Sequence, residues 1–581
     1  MFKRILKWSA IALGVFMVYF LWQLFWPSGP IEVSTQTTVI TEPLADDGLP
    51  NYSKYLLDQM REGVTPENNG AIPLLQAMWP AELEAQDQQL VCRELGMEVL
   101  TTDGLRDIED NRKLIDDMTT WYLKNQVPAD EHLSDLDHDI KFFVENDYLR
   151  ALGMQPWQAD DAPPVADWVE AHAHDYALLH EAMARPEFYL PAPALLANPK
   201  VNVIVLDIPE LHYPRPAVRS LALRANLRIG SGDLAGAWQD CQTMYRLADL
   251  ETHCTLVSKL VAYACEGQAK ETLLQLLQSP DLTPELAADM QQFITARQPG
   301  STMRDAVDSF ERIGFVTGML EMSHARTPEN PNDSIAGQFG IPIISAIAID
   351  WNAILEIGNQ EYDQIVAALD EPTATQQQAA LDAWSNSLTK RSNAITTPGG
   401  IGGTALSRSA RSKNIAYVLC QLLLPSIEAA LGAERRVQSQ RLLSQTAIAL
   451  ARYRLAHGEY PEQLGALVPD YLAAPLVDPH GNALAYQRTS DGFLLYSLGA
   501  DGKDQGGSHE MWKTYQGYEM ADTEAADRAL RKRLGLPEYE PEFEGDYEFL
   551  RLTEPADDVA IRLPKLELPL PEFEPPDEPA F

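Results

Sequence analysis

Leu443-Ser444-Gln445-Thr446-Ala447-Ile448-Ala449-Leu450-Ala451-Arg452-Tyr453-Arg454-Leu455-Ala456-His457-Gly458-Glu459-Tyr460-Pro461 opens the stretch whose reading decides the fold. Val437, Ser444, Ile448, Ala451 and Leu455 fall on one face at helical spacing. Gly458 closes this helix as a left-handed C-terminal cap would. Beyond Tyr460-Pro461 come Leu467-Val468-Pro469-Asp470-Tyr471-Leu472 and Asp478-Pro479-His480-Gly481-Asn482. Phe493-Leu494-Leu495-Tyr496-Ser497-Leu498-Gly499-Ala500-Asp501-Gly502 follows and runs on to Gly506-Gly507. Residues 443–507 thus read as one helix, a Tyr-Pro turn, two short strands and an Asp/Gly-rich loop.

In order and residue type this stretch resembles the globular part of the major pseudopilin of bacterial type II secretion. The resemblance implies a small α+β domain with a three-stranded antiparallel sheet. Alternating Val559, Ile561 and Leu563, after the acidic pair Asp557-Asp558, read as its closing edge strand. The resemblance also implies a structural calcium ion, which takes about six to eight oxygens. Carried over residue by residue, the Leu498 carbonyl and Asp501 match two ligands, and Asp557 or Asp558 matches the downstream acid. Asp504 is an added candidate. A plain Asp-Gly turn between strands, with no metal, is the alternative. The chain departs from the family in two ways. Residues 508–556 intervene between the loop and the acidic pair, an insertion carrying the basic helix Thr523 to Leu534. The N-terminus also lacks the Gly-Phe leader junction and early Glu of a fibre subunit. The rest of the chain looks like large bacterial envelope proteins that carry this domain, a likeness that brings no activity with it.

A chain of 581 residues, with 45% hydrophobic content, is long enough for two to four domains and a sizeable core. Its net charge of −39 argues against nucleic-acid binding, which needs clustered Lys and Arg. Excess acid serves solubility more often than recognition. Cys92, Cys241, Cys254, Cys265 and Cys420 form no C-x-x-C pair, which excludes a zinc knuckle of that kind. A bridge among Cys241, Cys254 and Cys265 and a set of buried free thiols are both open. Lys3, Arg4 and Lys7 precede an apolar run from Trp8 to Trp26. That pattern predicts a single-pass signal-anchor over residues 1–27, N-terminus in the cytoplasm. It places the bulk of the chain in the periplasm, on a bacterial inner membrane.

Outward from the decisive stretch the chain is mainly α. Residues 28–48 read as a polar, Thr-rich linker, 49–195 as an N-terminal helical region and 196–430 as a central one. Residues 431–507 form the α+β domain, 557–564 its closing strand, and 565–581 a disordered acidic, Pro-rich tail. Val201 to Leu206 reads as a strand or an extended segment. Residues 216–296 look like paired antiparallel helices turning at Gly230-Ser231-Gly232-Asp233, solenoid-like if such pairs recur.

Three patterns invite a chemical reading and weaken under it. His172 and His174 are two apart, so on a helix they diverge, whereas a zinc helix needs i and i+4. Gly399-Gly400-Ile401-Gly402-Gly403-Thr404 lacks the Lys of a phosphate loop and reads as a flexible break. Ser387 and Lys390 have S-x-x-K spacing without its companion motifs. No catalytic residue emerges. The expected function is a membrane-anchored extracytoplasmic scaffold or adaptor with protein partners; the alternative is an envelope hydrolase whose active site is assembled from distant residues.

Overall fold

The sequence reads as two helices, from about 405 to 430 and from 434 to 457; in the computed structural model they are one. It runs unbroken from Arg408 to His457, 50 residues, through Pro425 and Gly432. The Ser407 hydroxyl caps its start by accepting the Ala410 N–H at 3.4 Å. Gly458, at φ 82°, ends it and returns its N–H to the Arg454 carbonyl at 2.7 Å. The described residues are 2–26, 29–79, 83–101, 104–127, 133–208, 211–250, 253–297, 300–324, 348–504, 506–507, 559–565, 570–571 and 573.

Two hydrophobic cores share this helix. Its first half gives Ala416, Cys420, Ile427, Ala430 and Leu431 to a core with Ile313, Val316, Ile354, Leu355, Tyr362 and Trp384. Its second half gives Leu443, Ala447, Ile448, Leu450 and Ala451 to a larger core. That core holds Leu74, Met118, Tyr176, Leu221, Tyr245 and Leu273, together with Phe493, Leu495 and Ile561 of the sheet. A side chain such as Ile448, fully buried, contributes about 1.5–3 kcal/mol of apolar transfer. The helix is therefore fixed by packing at both ends rather than by its own propensity.

The sheet is small and antiparallel, as the sequence predicts. Its strands are β1 (Ala485–Arg488), β2 (Phe493–Ser497) and β3 (Val559–Leu563), in the order β1-β2-β3. Register pairs Tyr486 with Leu495 and Phe493 with Leu563. Val559, Ile561 and Leu563 are buried in alternation, which is the period-two pattern read from the sequence. Gly492 has no room for a side chain: a Cβ there would sit 1.8 Å from the Leu563 carbonyl oxygen.

In the helical body, Pro214–Gly230 and Leu234–Ala248 form the expected antiparallel pair. Gly232 turns at φ 84°, and Asp233 caps the second helix through the Gly236 N–H at 2.9 Å. Leu256–Gln278 packs on both, opened by a capping box of Thr255 and Ser258.

Several expectations are corrected. Among the described residues no helix is long and apolar enough to cross a membrane. Phe2–Phe25 is a helix, but its first two turns carry Lys3, Arg4 and Lys7 and its last carries Gln23. That end is held by protein: Arg408 N–H donates to Gln23 Oε1 at 3.0 Å, Arg411 Nη2 to the Gln23 carbonyl at 2.7 Å, and Ala348 N–H to the Leu24 carbonyl at 2.8 Å. Trp8, Leu13, Val15 and Val18 on the same helix are exposed. The single-pass anchor over 1–27 falls, and with it the inner-membrane, periplasmic placement. The 28–48 stretch is no loose linker. Thr37 and Thr38 are buried, Asn359 Nδ2 donates to the carbonyls of Gln36 and Thr37, and Tyr52 Oη donates to that of Thr38 at 2.6 Å. The Gly-rich break is a helix, Pro398–Leu406, capped by Thr397 through the Gly400 N–H at 3.1 Å. Val203–Val205 is a single 3₁₀ turn. Within the 565–581 tail, Lys565, Leu570, Pro571 and Phe573 are described, and Leu570 and Phe573 pack against the larger core. The insertion 508–556 lies outside the described residues.

Candidate functional site

The Asp/Gly loop leaves β2 at Ser497 and turns through Gly499, Gly502, Gly506 and Gly507, with φ between 65° and 74°. Only glycine takes that region without strain. Asp501 Oδ1 accepts the Lys503 N–H at 2.7 Å, and Lys503 Nζ lies 3.7 Å from Oδ2. Asp504 Oδ1 accepts the Gly506 N–H and the Tyr496 hydroxyl, both at 2.9 Å. Leu498 is half-buried at the loop's start. Asp557 and Asp558 lie outside the described residues. Among those described, no three His, Cys, Asp or Glu side chains come together as a metal group. The loop fits calcium in kind, with carboxylates on a glycine-turned backbone. It fits in number only when the Asp557-Asp558 pair or water joins, since two carboxylates and the Leu498 carbonyl offer about five oxygens against the six to eight required.

Beside the loop, Asp478 is 3% exposed and anchors the Asp478–Asn482 turn to the sheet. Its Oδ1 accepts the N–H groups of His480 at 3.0 Å and Asn482 at 2.8 Å. Its Oδ2 accepts the Ser497 hydroxyl at 2.8 Å and Asn482 Nδ2 at 3.2 Å. The sequence displays Asp478 without revealing this role, because Ser497 is met only when the strand forms.

The same turn forms one wall of a polar cleft of about 420 Å³. Val477 and Pro479 line it on one side, and Lys259, Arg297, Glu434, Gln438, Arg441 and Gln445 on the others. Beneath them Glu266 is sandwiched between two guanidinium groups. Arg297 donates to it at 2.7 and 3.0 Å, and Arg441 at 2.8 and 2.7 Å. Arg297 also forks onto Asp249, with both bonds at 2.7 Å. Burial works to raise the Glu266 pKa, but Arg441 and Arg297 outweigh it and hold the carboxyl below its ordinary value. For Asp249 burial wins over the Arg297 pairing, and its pKa is raised. Arg297 and Arg441 are held protonated by these acids against the effect of burial. The four residues come from four places in the sequence and join three helices to the long one. No local motif announces them.

A second buried network lies in the helix pair. Asp240 has no exposed side-chain surface. It accepts from Arg224 Nε at 3.1 Å and Arg228 Nη1 at 2.9 Å, while a second Arg224 nitrogen bonds its Oδ1. The His180 ring bridges Thr243 Oγ1 at 2.6 Å and Arg224 at 2.8 Å. Arg224 lies 3.8 Å over the Tyr176 ring. These groups satisfy one another, which is the pattern of a structural network.

The other sequence candidates do not assemble. His172 Nδ1 sits 2.8 Å from the Trp168 carbonyl and its ring against Trp168, while His174 is exposed. Ser387 and Lys390 are exposed on the helix Ala374–Asn393. All five cysteines are free thiols, and burial pushes those of Cys265 and Cys420 up to about 12. Compared with known proteins, the chain matches no family model, no curated protein and no solved structure.

Proposed function

We propose that this chain is a scaffold or adaptor, a helical body that carries a pseudopilin-like α+β module and presents it to protein partners. The observation that carries the reading is the 50-residue helix shared by two cores. Such a strut fixes the sheet and its loops relative to a distant helical surface, which is what an adaptor requires. The charge chemistry of the cleft supports the same reading. Its acids and bases are spent on one another, which suits holding helices together more than moving protons.

Photo-crosslinking groups at Gln438 and Gln445, in the cleft wall, test this in cells. A discrete protein adduct, reproduced with the purified partner, supports the adaptor. Turnover of ester, peptide or glycoside probes by purified chain, abolished by one cleft substitution, would replace it with a hydrolase.

The Asp/Gly loop belongs to the same proposal as a calcium site, with the Leu498 carbonyl, Asp501, Asp504 and the Asp557-Asp558 pair as donors. Bound calcium would cross-link the loop to the start of β3. Melting of the full chain in calcium and in chelator is the test. A higher melting temperature in calcium, lost in D501A, is expected; coincident curves remove the ion.

A further inference from the structure

Tyr122, Phe143 and Tyr148 form an aromatic box on the N-terminal helical region. Their ring centroids lie 5.3 Å (Tyr122–Phe143), 5.4 Å (Tyr122–Tyr148) and 6.1 Å (Phe143–Tyr148) apart. Phe143 ends the helix Leu133–Phe143, and Tyr148 closes the π turn Val144–Tyr148 that follows it. Such turns are rare and concentrate at functional sites. Tyr148 is held from behind, its hydroxyl donating to the Asp161 carbonyl at 2.9 Å.

The box is occupied by the chain's own far end. Phe573 meets Phe143 edge-on at 5.8 Å, and its N–H donates to the Tyr122 hydroxyl at 3.0 Å. Leu570, three residues earlier, packs on the same core. Upstream the strand is moored at Lys565. Its N–H donates to Gln278 Oε1 at 2.7 Å, and its Nζ pairs with the half-buried Glu271 at 2.6 Å. Pro-rich segments are recognised in grooves lined by aromatic rings. The local sequence, Pro569-Leu570-Pro571-Glu572-Phe573-Glu574-Pro575, has that chemistry. Prolines reduce the entropy lost when such a segment is fixed.

We propose that the Tyr122/Phe143/Tyr148 box is a peptide-recognition site for Pro-flanked Phe segments, held in cis by the tail through Phe573. The box and its resident can be right or wrong independently of the adaptor reading, since the contact lies within one chain and away from the cleft. A short tether gives the resident an effective concentration on the order of 1 mM. A free segment with a dissociation constant near 100 µM would then bind the intact chain about tenfold more weakly than a chain whose box is vacated.

The experiment uses the full chain and a fluorescent peptide of residues 564–575, read by anisotropy. F573A is expected to bind it about tenfold more tightly than wild type. A peptide with Ala at the Phe position should fail to compete. Y122F, which keeps the ring and removes the hydroxyl, should weaken binding to the F573A chain without unfolding it. Equal binding to wild type and F573A, binding to neither, or indifference to Y122F overturns the proposal. A concentration-dependent wild-type dimer, lost in F573A, overturns the cis assignment by placing a second copy's tail in the box.

Discussion

Replacing Glu266 by Ala removes the acceptor that ties the long helix to its neighbours. Four charge-assisted bonds disappear: two from Arg297 and two from Arg441. The consequences for the two arginines differ. Arg297 keeps its bidentate Asp249 partner, whereas Arg441, with 24% of its side chain exposed, loses both bonds to Glu266. Glu266 itself is 7% exposed, so solvent does not screen the pair. Breaking one side of a buried ion pair costs about 3–5 kcal/mol, more than the pair's net worth, because a charge is left behind. E266A should therefore lose about 3–5 kcal/mol in denaturant unfolding, and R441A added to it should cost much less than it costs alone. Acid adds a second signature. With its folded pKa below the unfolded value of about 4.3, Glu266 stabilises the fold above that pH, and its contribution is lost as pH falls through the folded pKa. Asp249 has a raised pKa and the opposite sign: its contribution weakens as pH rises through the folded value. E266Q should thus flatten the acid loss of stability expected of wild type. A loss under about 0.5 kcal/mol for E266A, the range of an ordinary surface change, refutes the reasoning.

Three further perturbations follow from the geometry. D478A strips acceptors from two backbone N–H groups and the Ser497 hydroxyl, and should cost about 2–3 kcal/mol, with faster hydrogen exchange across residues 478–497. D240A leaves Arg224, 8% exposed in its side chain, buried without its acid. The expected loss is about 3–5 kcal/mol by thermal or denaturant unfolding, and D240N should recover part of it. G492A drives a Cβ into the Leu563 carbonyl. It should cost about 1–3 kcal/mol and release the amides of Val559–Leu563 to exchange, while protection in Leu256–Gln278 persists.

What was legible in the sequence is local and periodic. The face ending at Gly458, the strand Phe493–Ser497 and the Val559/Ile561/Leu563 alternation all carry their own signals, and each holds in the structure. Illegible features owe their form to distant partners. The stretch reads as two helices parted near Gly432, yet packing on both sides of that point carries one helix through it. Four glycines within 399–403 favour irregular backbone, and all four nonetheless lie in the helix Pro398–Leu406, where tertiary context overrides propensity. The polar 28–48 stretch reads as linker until Asn359 and Tyr52 supply partners to its carbonyls. Hydropathy over Trp8 to Trp26 suggested an anchor, but Gln23 and Leu24 are engaged by Arg411 and Ala348, contacts that only the folded chain shows. The Glu266 network spans 175 residues from Glu266 to Arg441, so no motif could present it. The loop acids Asp501 and Asp504 lie on one turn, and their proposed partners Asp557 and Asp558 lie outside the described residues.

The claim on which the account rests is that one continuous helix couples the two cores. Spin labels at exposed Glu428 and Ala456 lie on either side of the crossing. At 1.5 Å per residue, an unbroken helix places their backbones about 42 Å apart. A single narrow distance distribution near that value, unchanged by temperature below unfolding, is the expected result. A broad distribution, or one centred well short of it, would mean a hinge between the cores and would contradict the account.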